Sequence, residues 1–383
     1  MKELTHLRTE NSKTFADAGR RRLEVHIGAP HYKDNYADKS EGWKDIDLTW
    51  EGNRITKAPY ELTLEGNKAA IRNKKSGEVS TIELLEIGRI PIPPQAWELS
   101  KGLARAFDTD LEIKVENGHV RFARILKSDK APKEAKFRVT GNFRVFARDE
   151  EGELPVETTL KDGILTEILK PDRPIKYPVR IDPTWQTGES TDDAMHKLVT
   201  DWWTITGALM AGGLETHHQY GSGMRFPNVA IPQGAPIDEA HLTLRCQDIS
   251  GATATPCNSR ITAEDIDNAA TFVDDKVIFD ARYAAHTTAV VDWDNISVWL
   301  LDTEYDSPDI KTVLQEIVNR EGWATGQGIA IFWQDYDNRT PSVADCRRIA
   351  HSYDTNSSYA PKLVVDYTPP SLRSKLFPLK SRG

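Results

Sequence analysis

The sequence is short of cysteine, of long apolar runs and of surplus positive charge, and each shortage excludes a class of protein. Three cysteines in 383 residues cannot build a disulfide scaffold. No apolar stretch approaches the ~20 residues that cross a bilayer as a helix. The opening MKELTHLRTENSK lacks the apolar core of a secretory signal. With 49 Lys and Arg against 58 Asp and Glu, the net charge is −9, which argues against general nucleic-acid binding. Catalytic signatures are missing as well: there is no nucleophile elbow, no HExxH, and no Walker loop or GxGxxG after a strand.

What is present is charge asymmetry and β pattern. Residues 1–183 carry a net charge of +2, residues 184–370 carry −15, and residues 371–383 carry +4. The length exceeds what one core usually organises, so two domains are expected. The chain divides into a flexible leader arm at 1–22, an N-terminal β domain at 23–183, a second β domain at 184–370 and a basic arm at 371–383. The boundary is placed near Pro183, because proline suits edges and connections better than central ladders.

In the first domain LEVHI (23–27), IDLTW (46–50), ELTLEG (61–66), KAAIR (68–72) and TIELLEIG (81–88) read as strands. LEIKVENGHVRFARIL (111–126) predicts a hairpin, with Asn117-Gly118 supplying φ > 0 at the turn. The pattern repeats around Gly141-Asn142, and Asp162-Gly163 marks a further turn. In the second domain RFPNVAIP (225–232), AHLTLRCQD (240–248), CNSRITAED (257–265), GIAIFW (328–333) and KLVVDY (362–367) read as strands. One helix is expected over 307–323, with Ser307 as N-cap and Pro308 in the first turn. Its apolar stripe is Ile310, Val313, Leu314, Ile317 and Val318. The fold class is therefore all-β: two sandwich or jelly-roll-like domains, with one short helix in the second.

Candidate chemistry is sparse. His217-His218 reads as a surface pair. Acidic pairs such as Asp335 with Asp337 and Asp265 with Asp267 invite a two-carboxylate reading, but 58 acids produce such pairs by chance, and no enzymatic activity is expected. Cys246, Cys257 and Cys346 read as buried small hydrophobes; a Cys246–Cys257 bridge across SGATATP (250–256) is the geometric alternative. Trp203, Trp333 and Tyr336 are candidate sugar contacts, weighed against plain burial.

VHIGAPHYKD (25–34), GWKDIDLTW (42–50) and YPVRIDPTW (177–185) resemble the leading β region of wall-associated and YD-repeat (Rhs-type) surface proteins. FPNVAIPQGAPIDEAHLTL (226–244), DIKTVLQEIVNREGWATGQGIAIFW (309–333) and HSYDTNSSYAPKLVVDY (351–367) resemble the DNRLRE family of jelly-roll modules, related to carbohydrate-binding modules. The resemblance implies non-covalent function. Without a YD-repeat array or export signal, the chain resembles a tailed-phage virion protein assembled in the host cytoplasm: a head decoration, tail or fibre-associated component. On that reading it docks to other virion proteins as a homo-oligomer, taken as a trimer, through Arg20, Arg21, Arg22, Arg373, Lys375, Lys380 and Arg382. Neither nucleic acid nor membrane insertion is expected. The alternatives are a module that adsorbs to cell-surface polysaccharide, and a bacterial wall-associated fragment. Jelly-roll modules of this kind often hold a structural calcium near their first and last strands, and Asp192, Asp193 and Asp366 are the expected ligands of such a Ca²⁺.

Overall fold

The computed structural model describes residues 1–92, 103–150, 152–187, 191–198, 202–214, 218–249, 257–340 and 346–370. The described strands pair antiparallel, most of them built on alternating apolar residues, and the fold is all-β. Two β-sandwich bodies are present, but they do not follow one another along the chain. One is inserted into the other.

The outer body takes strands from both chain termini. Residues expected to form a leader arm are instead strands Lys2–Glu3, Ser12–Asp17 and Arg20–His26. The third pairs antiparallel with Lys362–Tyr367, from Arg21 opposite Tyr367 to His26 opposite Lys362. The reason is burial: Leu23 and Val25 are fully buried, and they enter the core of the outer body with Leu363 and Val365. Arg22 closes the ladder from outside, with Nε and Nη2 donating to the two carboxylate oxygens of Asp366 at 2.7 and 2.8 Å.

Strand Ile237–Asp248 joins the two layers of this body. Its first part pairs with Lys362–Tyr367 and its end with Cys346–Ala350, with register shifts at Ile237/Glu239 and Cys246/Asp248. Such bulges bend a strand enough for it to serve two layers. The opposite layer includes Leu209–Leu214, His218–Phe226, Ile329–Gln334 and Cys257–Ala263. Between the layers Trp333 stacks at 5.8 Å on Trp299, and Trp293 lies 5.9 Å from Trp333.

The expected helix exists but is shorter, Lys311–Val318. Ser307 does not cap it; its Oγ accepts from Leu242 N–H, tying the preceding loop to the sheet. The stripe Ile310, Val313, Leu314, Ile317 and Val318 is buried as read. A second helix, Lys276–Ala284, was not expected. Asp275 caps it, accepting from Val277 and Ile278 N–H. Its only buried residue is Phe279, so it has no stripe for a sequence reading to find.

The inserted body packs a sheet containing Tyr60–Glu65, Lys68–Asn73, Val79–Ile87, Glu134–Thr140, Val156–Lys161 and Ile164–Leu169 against one containing Thr109–Val115, His119–Leu126, Arg144–Asp149 and Val179–Gln186. Strands Glu134–Thr140 and Arg144–Asp149 are not a hairpin. They pair in different sheets, and Gly141 at φ +88° turns the chain between them. The IDLTW segment is extended with a single bridge, Asp47 to Lys57, and lays Ile46, Leu48 and Trp50 on the core. Pro183 lies inside a central strand, not at a connection. The ladder yields there: pairing with His119–Leu126 passes from Arg121–Thr184 to Arg124–Ile181, as expected for a residue with no N–H to give.

One charged pair spans this sandwich. Arg124, on one sheet, donates from Nε to Glu167 Oε1 at 2.6 Å on the other, and both side chains are buried. Burial pushes the Glu167 carboxyl up more strongly than the Arg124 charge lowers it. Losing one member of such a pair typically costs about 3–5 kcal/mol, because the other stays buried and unpaired. Arg124→Met should therefore lower unfolding free energy in denaturant titration by about that amount, and Arg124→Met with Glu167→Leu should recover most of it. Equal losses in the single and double variants would refute the pairing.

Candidate functional site

The two bodies meet where the hairpin turn at 116–119 enters the loop 352–358. The hairpin is the expected one, Thr109–Val115 with His119–Leu126, but neither Asn117 nor Gly118 has positive φ. The glycine is needed for closeness: a Cβ at 118 would lie 2.2 Å from Tyr353 Oη. The turn's backbone donates across the seam, Asn117 N–H to Ser358 Oγ and Gly118 N–H to Ser357 Oγ, both at 2.9 Å. Asn117 Nδ2 donates to Ala29 O.

Beneath the turn lies Arg121, 6% exposed. Its Nε donates to Glu116 Oε1 at 3.0 Å and Nη1 to Asp182 Oδ2 at 3.1 Å, within the inserted body. Its Nη2 donates to the carbonyls of Asp354 at 2.7 Å and Thr355 at 3.0 Å in the outer body. Burial alone would raise the Glu116 carboxyl, but the Arg121 charge and His119 outweigh it and hold it well below the usual range. His119 is pushed down by burial. It lies edge-on to Tyr353, with centroids 4.8 Å apart.

Asp193 is fully buried on the outer body's side. Its Oδ2 accepts from Tyr353 N–H at 2.7 Å, while Oδ1 has no hydrogen-bond partner. Burial and then the neighbouring Asp354 charge push its carboxyl well above the usual range. His351 is pushed down to about 4 by burial.

Alongside this network the seam opens into a cleft of about 420 Å³. Arg148 and Arg180 line it from the inserted body, and Trp202, Met210, Gln247 and Arg347 from the outer one. Trp202 is 44% exposed. A second cavity of about 380 Å³ shares Trp202, Met210 and Arg347 with the first and adds Lys197 and Tyr220.

The residues singled out from sequence lie elsewhere. Trp333 is fully buried, stacked in the core and donating from Nε1 to Ser259 Oγ, so it offers no face to a ligand. Its run IAIFWQ is apolar without alternation, the pattern of a strand covered on both faces. Trp203 and Tyr336 do come together around His196, with centroids 6.2 and 6.5 Å from its ring. Trp203 donates to Asp274 Oδ1 and Tyr336 Oη to the His196 carbonyl, both within a small aromatic cluster beneath the helix Lys276–Ala284.

The three aspartates do not form a calcium site. Arg225 donates to Asp192 at 2.7 Å, Asp193 is held by Tyr353 N–H, and Arg22 binds Asp366 through both oxygens. Two of the three charges are already neutralised by guanidinium, and a cation there would compete with arginine. Among the described residues no group of three or more His, Cys, Asp or Glu side chains is arranged to hold a metal.

Arg22 is likewise committed within the chain, and Arg20 Nε stands 3.9 Å from Asp238. Arg373, Lys375, Lys380 and Arg382, with His217 and the 250–256 loop, lie outside the described residues. The acidic pairs are taken up by arginine: Asp337 by Arg260, and Asp265 and Asp267 by Arg320. Asp335 accepts from the backbone of Arg339 and Thr340. All three cysteines are buried thiols outside any disulfide, and burial pushes the Cys246 thiol up to about 11.

No family model matches the chain, and no curated protein matches it. Among solved structures, a GH31 α-xylosidase from Xanthomonas citri aligns with 97% of this chain and 38% of its own length, at 9% identity and a TM-score of 0.11. The chain thus spans less than two fifths of that structure, and a likeness at this level establishes no shared fold.

The seam has two opposed pH signatures. His119 and His351 resist protonation when folded, so the unfolded chain gains protons first as pH falls below about 6.5. Stability should then fall toward pH 4, by up to about 1.4 kcal/mol per pH unit for each histidine. Asp193 acts oppositely: its raised carboxyl lowers stability as pH climbs from about 4 toward its folded value, after which the penalty is constant. Asp193→Asn, which keeps an acceptor for Tyr353, should raise the melting temperature at pH 7 and leave it unchanged below pH ~4. Melting curves from pH 4 to 8 test this; a difference independent of pH would contradict it.

Proposed function

We propose that this chain is a non-catalytic structural protein of a tailed-phage virion, assembled in the host cytoplasm and acting by docking to neighbouring virion proteins. The observation that carries the reading is the seam itself. Arg121 and the 116–119 turn fasten two sandwiches into one unit through buried hydrogen bonds. That is a fixed scaffold, not a hinge, and it suits a part that must hold its shape among neighbours. The segments resembling wall-associated leading regions and DNRLRE modules support the same assignment. Arg20, 67% exposed at the side chain, and Arg21 remain as docking groups on the first long strand, facing an acidic surface on other copies or partners. A trimeric homo-oligomer is part of the proposal.

A second reading, saccharide binding, is favoured by one feature: the exposed Trp202 in the seam cleft. Trp333 has no part in it, and Trp333→Ala would test only core stability.

Mass spectrometry and electron microscopy of purified particles test the main reading. A fixed copy number per particle is expected, together with density for two joined sandwiches. Recovery of the protein only from the soluble lysate, never with particles, would overturn it.

A further inference from the structure

We infer that the groove running from the seam cleft past Trp202 binds an acidic oligosaccharide, a chain of pyranose rings bearing carboxylates. The inference rests on the saccharide-binding reading of the cleft and adds to it the charge class of the ligand.

The placement of charge is the first argument. Residues 184–370 carry −15 overall, but the inserted body brings cations to the wall of this groove. Lys114 is 43% exposed, Arg148 38% and Arg180 25%. The acids lie deeper: the side chains of Asp182, Asp248 and Asp354 are 5%, 9% and 0% exposed. Glu153 is the exposed carboxylate of the lining. An entering ligand therefore meets guanidinium and ammonium groups before it meets carboxylates, in a cleft whose walls focus the field.

An orphan donor is the second argument. Arg180 Nη1 donates to Glu112 at 2.6 Å, but its Nη2 is buried with no hydrogen-bond partner. A buried guanidinium nitrogen left unmatched is costly unless a ligand or water accepts from it. Arg180 lines the cleft and its side chain is 25% exposed, so a small rotation would let a carboxylate there take that bond as a charge-assisted one.

Shape is the third. Trp202 belongs to both cavities, so an exposed indole stands midway along a groove that continues to Lys197 and Arg347, both set over the Tyr220 ring at 5.5 and 5.6 Å. An indole face packs against the C–H face of a pyranose, while cations on either side take substituent charges. A seam between bodies is a common place for such a cleft, and 420 Å³ is within the ordinary range.

Isothermal titration of the full chain with hexagalacturonate, maltohexaose and poly-glutamate tests this. Hexagalacturonate should bind more tightly than maltohexaose, and its affinity should fall as salt rises. Trp202→Ala should weaken hexagalacturonate by roughly tenfold, and Arg148→Gln by roughly fivefold, while maltohexaose is little affected by the arginine change. Both side chains are more than a third exposed, so the core stays intact; melting curves verify this. If maltohexaose binds as tightly as hexagalacturonate, the acidic preference is wrong and the saccharide reading stands. If neither sugar binds, both are wrong. Poly-glutamate binding as tightly as hexagalacturonate, with no loss on Trp202→Ala, would identify an acidic polypeptide as the ligand and overturn the inference.

Discussion

The architecture depends on one guanidinium. Arg121 is rooted in a strand of the inserted body, is neutralised there by Glu116 and Asp182, and spends its remaining donors on two carbonyls of the outer body. A lysine could not satisfy this arrangement, because the planar fork addresses carboxylates on one side and carbonyls on the other at fixed angles. The price of burying the charge is met only because each N–H finds an acceptor. The turn at 116–119 then fits against Tyr353, which forbids a side chain at 118.

Much of the fold was legible in the sequence because the signals are local. Alternation in Thr109–Val115 and in Lys68–Asn73 reports a face buried within a few residues. The 3.6-residue stripe of Ile310 to Val318 does the same for a helix. The nesting of the bodies was not legible. Arg20–His26 completes a sheet with residues more than 330 positions away, and nothing in RRRLEVH names that partner. Read alone, three consecutive arginines look solvated; opposite Asp366, one of them is an internal counter-ion.

The candidate site was less legible than the fold, for a related reason. Asp192, Asp193 and Asp366 look alike in the sequence, but their roles are set by Arg225, Tyr353 and Arg22, each remote in the chain. Tryptophans present the same difficulty. Of the adjacent pair, Trp202 faces the groove and Trp203 turns to Asp274. Alternation could say that they differ, but only the course of the seam says which is which. The unbroken apolar run around Trp333 was the one usable signal, and it pointed inward.

Insertion also orders the assembly of the chain in time. The hydrogen bond between Arg22 and Asp366 joins residues 344 positions apart, so strand Arg20–His26 must wait for Lys362–Tyr367 to be synthesised before their ladder can close. Until then Leu23 and Val25 lack the neighbouring Leu363 and Val365. The inserted body has its own core and can form meanwhile, since domains generally fold as units during synthesis. Once formed, it holds residues 28 and 187 at fixed positions and replaces ~160 residues of loose chain by a rigid bridge, shortening the loop whose closure the outer body must accomplish. The inserted body is thus a template on which the strands flanking it find each other.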